Sequence, residues 1–78
     1  NVFPNPTTEI LNIHLSKDQV TSNTTFYLYT IDGKEVLQSK LTNLETTINV
    51  TELSKGNYFF TIIDSNSKIM VTKKIFIN

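Results

Sequence analysis

Apolar residues in this chain recur at every second position, in short blocks, and no window sustains a 3.6-residue period. Leu11, Ile13 and Leu15 alternate with Ile10, Asn12 and His14. Ile48 and Val50 repeat the pattern, and so do Ile69, Val71, Ile75 and Ile77 around Lys73. Successive side chains of a strand point to opposite faces, so this spacing predicts strands with one buried face and excludes substantial helix. Composition agrees: Ile, Val, Thr, Phe and Tyr abound and Ala is absent. Those are the side chains that suit a pleated, half-buried surface.

Turn signals divide the blocks. Strands are expected over 10–15, 25–31, 34–41, 46–50, 57–64 and 68–77, with polar loops at 16–23 and 64–67. Thr25–Ile31 has Phe26 and Leu28 on one face and Tyr27, Tyr29 and Ile31 on the other, so it should be central. Asp32-Gly33 suits a two-residue type I′ hairpin, because Gly33 accepts positive φ without steric cost. In the strand that follows, Val36 is expected to alternate against Glu35 and Leu37. Residues 51–56 form a tight connection, with Leu53 as its buried plug and Gly56 in a conformation closed to other residues. Tyr58-Phe59-Phe60-Thr61-Ile62-Ile63 is the most apolar run, a core strand and an aggregation hazard if exposed. Six to seven short strands at this spacing predict an all-β fold, a small antiparallel immunoglobulin-like β-sandwich. At 78 residues the chain is shorter than the ~100 usual for that fold, and its Cys and Trp hallmarks are missing.

Phe3-Pro4-Asn5-Pro6 holds both prolines. Each ring fixes φ near roughly −65° and removes a backbone donor, and the preceding residues are pushed toward extended geometry. Residues 1–8 are therefore read as a stiff lead-in and 9–78 as the domain. The chain opens at Asn1 without an initiator Met, as a piece of a longer protein would.

Seven Lys balance seven Asp and Glu, and Arg is absent. That argues against nucleic acid or an anionic membrane as partner, since both need a basic excess. No apolar run approaches the ~20 residues of a membrane span, so no membrane insertion is expected. Without Cys there is neither disulfide nor thiolate chemistry. His14 is the single histidine, and no ligands cluster with it in sequence, so it reads as solvent-facing and no metal or cofactor is expected. The carboxylates fall mostly in turns and on exposed faces, and there is no nucleophile-elbow motif. An enzyme is not expected. Asn23-Thr24-Thr25 and Asn49-Val50-Thr51 fit the glycosylation acceptor pattern, which chance explains in a Thr-rich chain. Tyr27 and Tyr29 are assigned to sandwich packing, although exposed tyrosines could stack on sugars.

Four blocks then occur in a particular order: Pro4-Asn5-Pro6, Ile31-Asp32-Gly33-Lys34, Leu53-Ser54-Lys55-Gly56-Asn57-Tyr58 and Lys73-Lys74-Ile75-Phe76-Ile77-Asn78. Over essentially its whole length the chain resembles the type A C-terminal sorting domain of the type IX (Por) secretion system of Bacteroidetes-type bacteria. The resemblance implies an address label. Upstream cargo crosses the inner membrane, and the domain is recognised by the outer-membrane translocon and its shuttle proteins. In many members a surface sortase then removes it, and the cargo stays on the cell surface or is released. Candidate recognition residues are Pro4, Asn5, Pro6, Lys73, Lys74, Ile75 and Phe76, with either lysine able to fill the family's basic position. Gly33, Leu53, Gly56 and Tyr58 are read as structural. The competing readings are a carbohydrate-binding or adhesive β-sandwich module, which needs coplanar exposed aromatics, and a passive spacer.

Overall fold

A computed structural model describes residues 2–3, 9–16, 24–64 and 68–78, without the side chains of Phe3 and Met70. Its elements are β1 (Val2–Phe3), β2 (Ile10–His14), β3 (Thr25–Thr30), β4 (Glu35–Lys40), β5 (Glu45–Asn49), β6 (Gly56–Ile63) and β7 (Ile69–Ile77). The expected strands stand within a residue or so of their predicted bounds, and no helix occurs among the described residues. Val2 and Phe3, within the predicted lead-in, pair at the edge with Ile13 and Asn12. Pro4, Asn5 and Pro6 lie outside the described residues, as do 17–23 of the 16–23 loop and 65–67 of the 64–67 turn.

Two antiparallel sheets form, β1-β2-β5 and β4-β3-β6-β7. This order is that of an immunoglobulin-like sandwich in which the fourth strand has joined the second sheet rather than the first. β3 is central, as its two bulky faces required. Its inner residues Phe26 and Leu28 are fully buried, and Phe26 stacks on Phe60 of β6 at 5.5 Å between ring centres. Leu11, Ile13, Ile48 and Val50 from the first sheet join Phe26, Leu28, Tyr58, Phe60, Ile62, Ile75 and Ile77 from the second in one core. Two further bonds extend the β2–β5 ladder: the Leu15 amide donates to the Leu44 carbonyl and the Val50 amide to the Glu9 carbonyl, both at 2.8 Å.

Two local expectations are corrected. The β3–β4 hairpin has a three-residue loop, Ile31-Asp32-Gly33, rather than a two-residue type I′ turn. The Gly33 amide donates to the Thr30 carbonyl, and the Thr30 amide donates to the Lys34 carbonyl, each at 2.9 Å. Thr30 explains the longer loop. Its hydroxyl donates to Asp32 Oδ1 at 2.6 Å and accepts from the Lys34 amide at 3.1 Å, which bridges the loop from within. Gly33 does take positive φ, at 93°. A three-residue loop that ends in such a residue is the next commonest hairpin solution. Second, Val36 does not alternate against Leu37. The register slips so that Leu28 faces Leu37 while Tyr29 faces Glu35. Val36 is thus the extra residue of a bulge, and both Val36 and Leu37 pack against the core from a half-buried position.

Candidate recognition surface

The block Leu53 to Tyr58 carries the strand into β6. The Leu53 amide donates to the Val50 carbonyl at 3.1 Å, and the Leu53 side chain packs half-buried against the core. Gly56 has φ of 141°, a region L side chains rarely adopt, although a Cβ there would meet nothing within 4 Å. Only the backbone demands glycine at this position. Tyr58 is 6% exposed, and its hydroxyl donates to the Ser54 carbonyl at 2.6 Å. A buried tyrosine near the start of this strand, bonded to backbone a few residues upstream, is the tyrosine corner of immunoglobulin-like folds. The Gly-x-Tyr block therefore holds the crossing between sheets.

β7 is the last strand of the four-stranded sheet. Ile75 and Ile77 face the core, opposite Tyr58 and Gly56. Lys73 has the same parity and sits opposite buried Phe60, yet its side chain is exposed. At an edge the lysine stem covers apolar surface while its ammonium reaches water. A charge pointing inward from an edge also discourages sheet-to-sheet pairing. Lys74 and Phe76 lie on the outer face, and Phe76 is 40% exposed. Of the predicted recognition residues, the structure thus gathers Lys73, Lys74 and Phe76 on one edge strand and assigns Ile75 to the core.

Sequence reasoning did not find the outer face of this sheet. Register aligns Glu35, Tyr29, Phe59 and Lys74 in one row across all four strands. Tyr29 stacks on Phe59 at 5.1 Å and on Tyr27 at 6.3 Å, each with planes 21° apart. Tyr27 and Tyr29 are half-buried on this outer face and not in the core between the sheets, which corrects their assignment to sandwich packing. Burial, then the neighbouring Glu35 carboxylate, then Tyr27, raise the Tyr29 phenol above its ordinary value. The alternation of Tyr27 and Tyr29 was a visible signal, but the row depends on pairing between strands distant in sequence.

Other candidates are accounted for locally. His14 is exposed and its Nε2 lies 2.9 Å from Glu45 Oε1 on the adjacent strand. Among the described residues no cluster of His, Asp and Glu could hold a metal ion. Asn49 Oδ1 accepts from the Thr51 amide at 2.9 Å and hydroxyl at 2.6 Å, a local turn. The Thr30 hydroxyl bond, ahead of the loop's own amide, lowers the Asp32 carboxyl below its ordinary value. One open groove of about 460 Å³ lies beside Val36, Leu37 and Leu53.

The molecule is a small β-sandwich whose motif residues hold turns and whose edge strand exposes Lys73, Lys74 and Phe76. Comparison with known proteins is more specific. The family model described as secretion system C-terminal sorting domain matches residues 1–78, and the chain belongs to that family. No curated protein and no solved structure matches it. The domain is the C-terminal sorting signal of a type IX secretion cargo, which implies export to the cell surface or beyond by way of the outer membrane. The carbohydrate-binding alternative gains no support from these comparisons.

Proposed function

We propose that the outer-membrane translocon reads this domain in its folded state through strand β7, and that a surface sortase later severs it from its cargo. The observation behind this reading is the exposure of Lys73, Lys74 and Phe76 together on an edge strand that Ile75 and Ile77 anchor to the core. Anchoring fixes the spacing of the exposed groups, so a partner meets a preformed pattern and little ordering entropy is lost on binding. Edge strands are suited to this role, because a partner strand can lie alongside while pockets read alternate side chains. Pro4, Asn5 and Pro6 belong to the proposed joint from which cargo is released. The domain acts as a ligand of the export machinery and carries no catalytic chemistry of its own.

The test is a fusion of residues 1–78 to the C-terminus of a periplasmic fluorescent reporter in a type IX-competent bacterium. Export that disappears in a translocon-deficient strain is expected. A Lys73→Gln, Lys74→Gln variant should fold normally and remain in the periplasm. Normal surface delivery of that variant would refute the role of β7. Deleting 73–78 is a poorer test, because it also removes the buried Ile75 and Ile77 and uncovers β6.

A further inference from the structure

The outer face of the four-stranded sheet has a charge order of its own. Its central row runs from Glu35 on β4, across Tyr29 and Phe59, to Lys74 on β7. Neighbouring strands lie about 4.8 Å apart, so the acid and the base stand roughly 14 Å from each other, beyond direct pairing within one chain. Between them lies a stacked aromatic strip, with Tyr27 continuing it along β3 and Phe76 exposed beside it on β7. Tyr27, Tyr29 and Phe59 are half-buried and Phe76 is exposed, so the strip keeps partly accessible aromatic surface between two exposed charges.

We propose that this face is a self-complementary docking surface for a second copy of the chain. Consider two such faces stacked about a two-fold axis parallel to the strands. The rotation reverses the row, so Glu35 of one copy lies over Lys74 of the other, twice, and Tyr29 lies over Phe59. An isologous dimer needs a patch that complements itself in this way. The same row would oppose acid to acid about the perpendicular axis, so the charges select one arrangement. Four strands of about six residues span roughly 400 Å² per copy at these spacings. That is below the usual size of a stable interface, so the dimer is weak and concentration-dependent. It covers Lys74 and Phe76, so this weak dimer must open before another partner reads those side chains of β7.

Sedimentation velocity on residues 1–78 from ~10 µM to ~1 mM tests this, a range that covers weak association. Self-association rising with concentration is expected. Glu35→Lys and Lys74→Glu should each weaken it about tenfold or more, since each places like charges together at both contacts. Both positions are exposed, so folding should survive, which circular dichroism checks. An equimolar mixture of the two variants should associate again, because the hetero-pair restores opposite charges at both contacts. A monomer throughout the range, association indifferent to either reversal, or a mixture that stays monomeric would each overturn the proposal.

Discussion

β6 and β7 are neighbours in register from Gly56–Ile77 to Ile62–Val71, yet they use that register in opposite ways. β6 is paired on both sides and buries Tyr58, Phe60, Thr61 and Ile62. β7 closes the sheet, with buried Ile75 and Ile77 near its end and exposed Lys73, Lys74 and Phe76 beside them. The contrast is sharpest at one pair. Phe60 is 3% exposed, and its partner Lys73, with the same facing, is exposed. A central strand has no route for a charge to reach water, whereas an edge strand does. β6 therefore contributes mainly core contacts, whereas β7 also presents side chains that a partner can reach.

The largest effect expected from breaking this contrast is Phe60→Ala. It removes a ring from the core and its stack with Phe26, and should lower unfolding free energy by about 3–5 kcal/mol. In a domain of this size that leaves little folded protein. A denaturant midpoint close to that of the parent would mean that β6 is not the stability element. Next come the two residues that launch β6. Gly56→Ala forces a side chain into a φ of 141° and should cost about 1 kcal/mol or more. Tyr58→Phe removes the bond to the Ser54 carbonyl and should cost about 1 kcal/mol. Thermal unfolding of both variants distinguishes a backbone demand from a side-chain one.

Lys73→Gln should fall within about 0.5 kcal/mol of the parent, despite its core-facing register. A larger loss would make Lys73 a stability residue, and the contrast between the strands would weaken. The smallest effect expected concerns Tyr29. Its phenol is held above the ordinary value, so the fold favours the neutral form. That contribution is fully present below the unfolded tyrosine value near 10 and is lost as pH rises through the higher folded value. A residue-specific titration should show Tyr29 ionising above its ordinary value, and Glu35→Gln should bring it earlier. An unchanged titration in that variant would separate Glu35 from the aromatic row.

Much of the fold was legible. Period-two alternation located six strands, and the two bulky faces of Thr25–Thr30 identified a central strand before any pairing was known. Gly33 and Gly56 signalled positive φ by residue type alone. The hairpin length was missed because it depends on the Thr30 hydroxyl and not on the Asp-Gly pair. The bulge at Val36 was missed because it is a property of two strands together. β7, the proposed recognition strand, was legible as a run of lysines and apolar residues, but its division into anchors and exposed groups was not.

Sequence alone determined the class of element, most turn positions and, through four ordered blocks, the family to which the chain belongs. These follow from local sterics and from side-chain alternation, both of which act within a few residues. Tertiary structure decided which strand lies at the edge, that Tyr58 closes a corner, and that Glu35, Tyr29, Phe59 and Lys74 share one row. Each of these rests on strand order and register. Both are set by how two sheets bury one common core, and no single segment contains that information.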